Sequence, residues 1–225
     1  MSIMKIVIAC SKSWFVISNY LKKNNQILLI TKKNELTIEN VRKINPNLIF
    51  FPHWSWEVPS EIHQQYKCIL FHTAPLPFGR GGSPIQNLIL LGYKKSPVCA
   101  LKMVEELDSG PIYSKKELSL EGPLSIIFKR LNIIVNDLIK DLVEFLPEPY
   151  MQEDNHFKFR RLTEEDNKIP PKGSLEDFYD RIRMLDDSTY PSSFIEYGDY
   201  IIEFNKAEFS NGQIKCVAQI KFNSN

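Results

Sequence analysis

The sequence predicts an α/β fold: a doubly wound, mostly parallel sheet followed by a small C-terminal β-rich unit. Three features carry that reading. Short apolar runs alternate with segments of helical periodicity over the first two thirds of the chain, the pattern of a sheet wound with helices. A long amphipathic stretch, Leu124 to Leu146, closes that part. Beyond it the composition turns polar and proline-marked, and two alternating runs flank Ser210-Asn211-Gly212-Gln213, a strong hairpin signal. Residues 1–150 are therefore expected to form the α/β body, and residues 151–225 a linker, a helix and a β-hairpin unit.

Taken in order, Met4 to Ala9 is a short apolar run bounded by polar residues and reads as a buried strand. "WFVISNYLKK" follows at helical spacing, "QILLI" is a second strand, and "TIENVRKINP" is a helix stopped by Pro46. "NLIFFP" is a third strand, Pro59 to Tyr66 a short helix, and "KCILF" a fourth strand. Pro84 to Leu91 is a helix, "PVCALKMV" a fifth strand and "GPIYSKKELSL" a sixth. The long helix shows an apolar stripe of Ile127, Leu131, Ile134, Leu138 and Leu142. "LEDFYDRIRML" is a further helix ahead of the hairpin.

The 225 residues carry a net charge of +1 and only short basic clusters, Lys22-Lys23, Lys32-Lys33 and Arg160-Arg161. Bulk electrostatics therefore predict no nucleic-acid partner. No apolar run is long enough to span a bilayer. The N-terminus reads as a first strand rather than a secretory signal, so a cytoplasmic protein is expected. Cys10, Cys68, Cys99 and Cys216 lie singly in apolar runs, without the spacing of a zinc site. They are expected to be free thiols, and no metal is expected.

In doubly wound sheets ligands bind beyond the carboxyl ends of the strands. His72 ends the fourth strand in "FHTAPLPFGRGGSPIQ", and Asp108 follows the fifth in "MVEELDSGP". A crossover helix and one strand separate them, which predicts that both reach one sheet edge. A carboxylate beside an imidazole fixes its tautomer and stabilises the imidazolium, an arrangement suited to acid–base chemistry near neutral pH. A capped loop histidine and a turn aspartate before Gly110 is the plain alternative. His53 ends the third strand in "FFPHWSW". His63 and His156 lie in polar surroundings and read as surface residues. Arg80, Gly81, Gly82 and Ser83 lead into a helix N-terminus, where backbone N–H groups are able to receive an anion.

"FHTAPLPFGRGGSPIQNLILLG" followed by "VCALKMVEELDSGPIY" resembles the folate-dependent formyltransferase family. His72, Leu76, Pro77, Gly81 and the Asp108-Ser109-Gly110 loop fit its pattern, and Arg80 precedes Gly81 as in its Arg-Gly versions. The likeness covers roughly Met4 to Leu120 and resumes at "RIRMLDDSTYPSSFIEYGDY", which is similar to the sugar-modifying members. The resemblance implies a Rossmann-like formyltransferase fold, 10-formyltetrahydrofolate as formyl donor and a primary amine as acceptor. It implies that His72 removes the amine proton and that Asp108 orients His72. It assigns Trp56, Val58, Val104, Glu105 and Asp108 to the folate, and Ser11, Lys12, Arg80, Gly81 and Gly82 to the acceptor. Two positions depart from the pattern: Leu70 stands where the family places an asparagine as oxyanion donor, and Ala74 stands where it places a serine. His53 is the expected replacement donor, with His72 itself as the other candidate.

Methionyl-tRNA members carry a larger basic C-terminal domain, and purine-pathway members have no need of "YPSSF" and a terminal hairpin. The resemblance therefore points to a nucleotide-linked amino sugar as acceptor. The first choice is UDP-4-amino-4,6-dideoxy-N-acetyl-altrosamine of the pseudaminic acid route, with dTDP-linked amino sugars and GDP-perosamine open. It also implies a homodimer joined through the C-terminal unit. A non-catalytic folate or nucleotide-sugar binding protein and a 10-formyltetrahydrofolate hydrolase are the rival readings.

Overall fold

A computed structural model describes residues 3–223. The main sheet is built from β1 (Met4–Cys10), β2 (Asn25–Ile30), β3 (Leu48–His53), β4 (Cys68–His72), β6 (Lys95–Lys102) and β7 (Ile112–Ser119). The intervening β5 (Phe78–Gly81) lies outside that sheet. The strand order is β2-β1-β3-β4-β6-β7. β1 pairs in parallel with β2 and β3, and β3 in parallel with β4. The helices between them are short: α1 (Asn19–Asn24), α2 (Ile38–Ile44) and α3 (Ser60–Gln65). This is the predicted α/β, Rossmann-like fold with a mostly parallel sheet; α4 (Pro84–Leu90) precedes β6, and the long α5 (Leu124–Glu144) follows β7.

β6 departs from the doubly wound expectation. It runs antiparallel to β4, pairing Ile69 with Lys102 and His72 with Cys99. Its carboxyl end therefore stands beside the start of β4, away from His72. Strand order and periodicity read alike in parallel and antiparallel sheets, so this reversal left no mark on the sequence.

The segment from Trp14 was expected to be helical throughout, yet α1 begins only at Asn19. Asn132 Oδ1 accepts from Val16 N–H (2.9 Å) and Asn136 Oδ1 from Ser18 N–H (2.8 Å). These bonds occupy backbone donors outside the helix, and Ser18 then caps α1 by accepting from Leu21 N–H. The polar stretch after α5 is also more ordered than a linker. β8 (Phe157–Phe159) pairs with β5, and a 3₁₀ turn at Glu164–Asn167 carries its own capping box.

The chain divides into two compact units, each assembled from three segments. Unit 1 comprises Met1–Gly81, Pro97–Leu118 and Phe128–Lys158. One of its cores gathers Val7, Ile49, Phe51, Val41 and Ile62. Unit 2 comprises Gly82–Ser96, Ser119–Ile127 and Phe159–Asn225. It holds α6 (Leu175–Arg183) and an antiparallel sheet of β9 (Ser193–Tyr197), β10 (Tyr200–Ser210) and β11 (Gln213–Phe222). The predicted hairpin is present as β10 and β11, and β9 adds a third strand that the sequence reading did not separate. Ser174 caps α6 through a reciprocal pair with Asp177. Ile182, Ile169 and Ala207 form the centre of the small core, with Phe178, Ile195, Phe204 and Ile214 around them. Arg183 is buried but fully engaged, bonding Asp180, Leu120 O and Gly122 O, as a buried charge must be.

Candidate active site

β4 delivers His72 to the carboxyl end of the sheet, where its side chain is 7% exposed. Because β6 runs the other way, a loop has to return Asp108 to the same place. Met103 N–H bonds Cys68 O (2.9 Å) at the start of β4. The chain then bends through Glu106, whose carbonyl accepts from both Ser109 N–H and Ser109 Oγ. Asp108 adopts a left-handed backbone, φ +54°, and is 7% exposed. Its Oδ2 lies 3.4 Å from His72 Nδ1 and accepts from Gly81 N–H at 3.0 Å. Gly110 then passes hard against β6: a Cβ there would stand 1.8 Å from Lys102 O, which explains the glycine.

The other ring nitrogen of His72, Nε2, lies 2.7 Å from Gly79 O. Both nitrogens thus face acceptors. A neutral ring donates to one at a time, and the doubly protonated ring donates to both. The pair has the composition of an acid–base couple: one imidazole held by one carboxylate, with the carboxylate itself held by a backbone N–H.

His53 ends β3 at the same edge, half-buried, with its ring edge-on to Trp14 at 6.4 Å between centroids. The β1–β3 ladder is interrupted between Ile8 and Cys10, so His53 pairs with Cys10 across a bulge. Leu70 pairs with Phe51 in the β3–β4 ladder. Its side chain packs on apolar clusters that include Phe51, Leu101, Leu76 and Ile112. The position where the family pattern carries an amide is therefore filled by an apolar contact.

Trp56 and Glu105 are exposed, while Val58 and Val104 are half-buried. Trp54, Val58 and Met103 pack on one apolar cluster, which brings the loop after β3 and the loop after β6 onto common ground. Val104 also lies against Gly110. Trp56 stands edge-on to Trp54 at 5.0 Å. These residues offer an apolar wall, suited to a flat heteroaromatic ring.

The residues expected at the acceptor are more committed to the protein than the sequence suggested. Ser11 ties β1 to β3, donating from N–H and Oγ to His53 O and exchanging a bond with Ser55 Oγ at 2.8 Å. Lys12 O accepts from the Cys10 thiol. Arg80 is 7% exposed; its Nε donates to Gln152 Oε1 at 3.0 Å, and Nη1 lies 4.0 Å from Glu106. The glycine amides were expected to be open to an anion, but Gly81 N–H serves Asp108 and Gly82 N–H serves Phe159 O. A Cβ on Gly82 would meet Arg161 Cα at 2.6 Å, so that glycine serves close packing. Gln152, in the supposed linker, escaped the sequence reading because its register opposite Gly110 depends on tertiary pairing. Among the described residues no cluster of three or more His, Cys, Asp or Glu is placed to hold a metal, and no helix is long and apolar enough to cross a membrane.

Comparison with known proteins places this geometry. A formyl transferase family model matches residues 14–122, and one for the methionyl-tRNA formyltransferase C-terminal domain matches residues 164–223. The solved methionyl-tRNA formyltransferase from Clostridium thermocellum is 43% identical, with a TM-score of 0.93 over 98% of this chain and 100% of that one. The methionyl-tRNA formyltransferase of Rickettsia felis is 30% identical over 190 residues, 81% of this chain and 62% of its own. The chain thus spans under two thirds of that curated relative's length. A sugar N-formyltransferase from a Shewanella species superposes with a TM-score of 0.66 at 18% identity, over 95% of this chain and 96% of that one; at that identity the likeness speaks for the fold alone.

These findings overturn three expectations: the nucleotide-linked amino sugar acceptor, with its pseudaminic acid assignment; the nucleotide-sugar partner; and the exclusion of nucleic acid. A C-terminal domain of the methionyl-tRNA kind was expected to be missing, yet residues 164–223 match the C-terminal domain model of those enzymes. Net charge was a poor guide for a physical reason. A whole-chain average conceals how charge is distributed locally, and it is local surface that a polyanion meets. The full-length likeness at 43% identity and the matched family models together place this chain in the formyltransferase family.

Proposed function

We propose that this protein transfers a formyl group from 10-formyltetrahydrofolate to the α-amino group of methionyl-tRNA. The observation that carries the reading is the His72–Asp108 pair in a chain alike along its whole length to a methionyl-tRNA formyltransferase. The amine nitrogen bonds to the formyl carbon, and a tetrahedral intermediate forms. The bond from that carbon to folate N10 then breaks. The amine loses one proton, and N10 of the departing tetrahydrofolate gains one.

His72 moves that proton. Nε2 is the nitrogen turned away from Asp108, and with Nδ1–H held by the carboxylate it is the atom left to take the amine proton. Asp108 holds Nδ1 and stabilises the charged ring, and a term of this kind contributes about 10²- to 10⁴-fold. The negative oxygen of the intermediate needs a donor. Leu70 offers none, and His53, at the end of the adjoining strand, takes that role. Trp56, Val58, Val104 and Glu105 receive the pterin ring.

The test is direct. Purified protein is incubated with 10-formyltetrahydrofolate and either methionyl-tRNA or uncharged tRNA, and formylmethionine is measured after ester hydrolysis. Formylmethionine formed only with the charged tRNA supports the proposal. Release of tetrahydrofolate and formate at the same rate with and without methionyl-tRNA, with no formylmethionine, overturns it.

A further inference from the structure

We infer that Gln152 is a positioning residue, a single side-chain amide that holds Asp108 in register with His72. The chain pairing puts it there. Ile112 and Tyr150 exchange both backbone hydrogen bonds, N–H to O at 2.8 and 3.0 Å, in an isolated antiparallel bridge. Two residues back from Ile112 is Gly110, and two residues on from Tyr150 is Gln152. Antiparallel register therefore sets Gln152 opposite the loop that carries Asp108.

The amide is used at both ends. Nε2 donates to Asp108 O and to Gly110 O, each at 2.8 Å. Both hydrogens of the NH₂ group are thereby committed, one to each carbonyl. Oε1 accepts from Arg80 Nε at 3.0 Å. Arg80 directly precedes Gly81, whose N–H bonds Asp108 Oδ2. One side chain thus ties the backbone of Asp108 to the strand whose amide anchors the Asp108 carboxylate.

The loop needs such a tie. A left-handed backbone at a non-glycine residue is uncommon and costs energy that the surroundings must offset. Asp108 has that backbone, and its carboxylate has only to swing slightly to lose a 3.4 Å contact with His72. The Arg80 guanidinium adds charge assistance to the bond at Oε1. The nearby ionic groups, Glu106 and Lys158, lie 3.5 Å apart at a surface-exposed pair and are too solvated to supply the same restraint.

The inference concerns the same site as the proposed function, so the decisive readout is chosen to be independent of the acceptor. Gly81 N–H reports the Asp108 carboxylate by its amide hydrogen exchange. In Gln152→Ala the Gly81 amide is expected to exchange at least about tenfold faster, with the global melting temperature nearly unchanged. Gln152→Glu keeps the acceptor for Arg80 but loses both donors. It is expected to behave like Gln152→Ala, which separates loop clamping from simple pairing with Arg80. In turnover, both variants are expected to lose roughly 10- to 100-fold in kcat, as for a misplacement of order 1 Å, with KM for the folate unchanged. Gly81 protection equal to wild type in both variants overturns the inference, whatever the activity. So does a large fall in melting temperature with Gly81 protection retained. Wild-type protein that forms no formylmethionine would sink the proposed function and leave the exchange comparison to decide this one.

Discussion

A methyl group on Gly110 would stand 1.8 Å from the carbonyl oxygen of Lys102. The close approach lets the loop after β6 turn back toward β4 instead of continuing away from it. Gly110→Ala has to push backbone against backbone, since no flexible side chain is there to yield. Overpacking of this kind costs about 1–3 kcal/mol, or roughly 2–12 °C in Tm for a chain of this size. Calorimetry should show that loss, and the folded fraction should turn over poorly because Asp108 moves with the loop. A variant with wild-type Tm and activity would mean that the loop does not depend on this contact.

Replacing His72 with asparagine keeps a polar group of similar size but removes the proposed base. Turnover is expected to fall by at least about 10²- to 10⁴-fold, with folding intact by circular dichroism. Asp108→Ala should be severe as well. It additionally frees Gly81 N–H, so a modest fall in stability accompanies it. Near-normal turnover by His72→Asn would remove His72 from the reaction.

The oxyanion donor is a separate question because Leu70 is packed among apolar side chains. An imidazole N–H donates whether neutral or charged, and loss of one such donor costs about 10²- to 10³-fold in kcat. His53→Ala is expected to lose that much with folate binding little changed, and His53→Asn to keep part of it. If His53→Ala instead lowers the melting temperature with kcat preserved, His53 only buttresses the fold, and the donor is His72 or a backbone N–H.

Thiol chemistry checks the core independently. Burial pushes the Cys68 thiol up to about 12 and the Cys99 thiol up to about 11, and burial also raises Cys10. At pH 8 a disulfide reagent should titrate Cys216, the exposed thiol, and leave the three buried ones until denaturant is added. The unfolded thiols ionise near their ordinary value of about 8.5, below the folded values. Stability from this source is therefore full below that pH, declines progressively above it, and is gone once pH has passed 11 to 12. Melting temperatures that stay flat from pH 9 to 11 would contradict the burial.

The homodimer was implied by the likeness to sugar-modifying members, which the comparisons overturn; as a proposal it now rests on one exposed apolar face. On β11, Ile214 faces the small core under α6, and the residues sharing its face by strand alternation are Cys216, Ala218, Ile220 and Phe222. Ile220 is 65% and Phe222 67% exposed, so the apolar face continues past what the helix covers. Light scattering at micromolar concentration is expected to give twice the chain mass, and Ile220→Lys with Phe222→Lys to halve it. A monomer for the unaltered protein would dismiss the dimer.

Sequence alone determined the α/β body, the placement of His72 at a strand end, the Asp108–Gly110 loop and the C-terminal hairpin. Each is a local matter: periodicity, a turn residue or a motif spaced along one segment. Tertiary structure decided what local pattern cannot encode. The antiparallel run of β6 means that Asp108 reaches His72 through a returning loop and not from the end of a parallel strand. Gly81 and Gly82 looked like open amides until their partners, Asp108 and Phe159, arrived from distant segments. Gln152 looked like linker because its meaning lies in a register set by the pairing of Ile112 with Tyr150. Hydrogen bonds between residues far apart in the chain are chosen by the packing of the whole, and a single sequence carries no local signal of that choice.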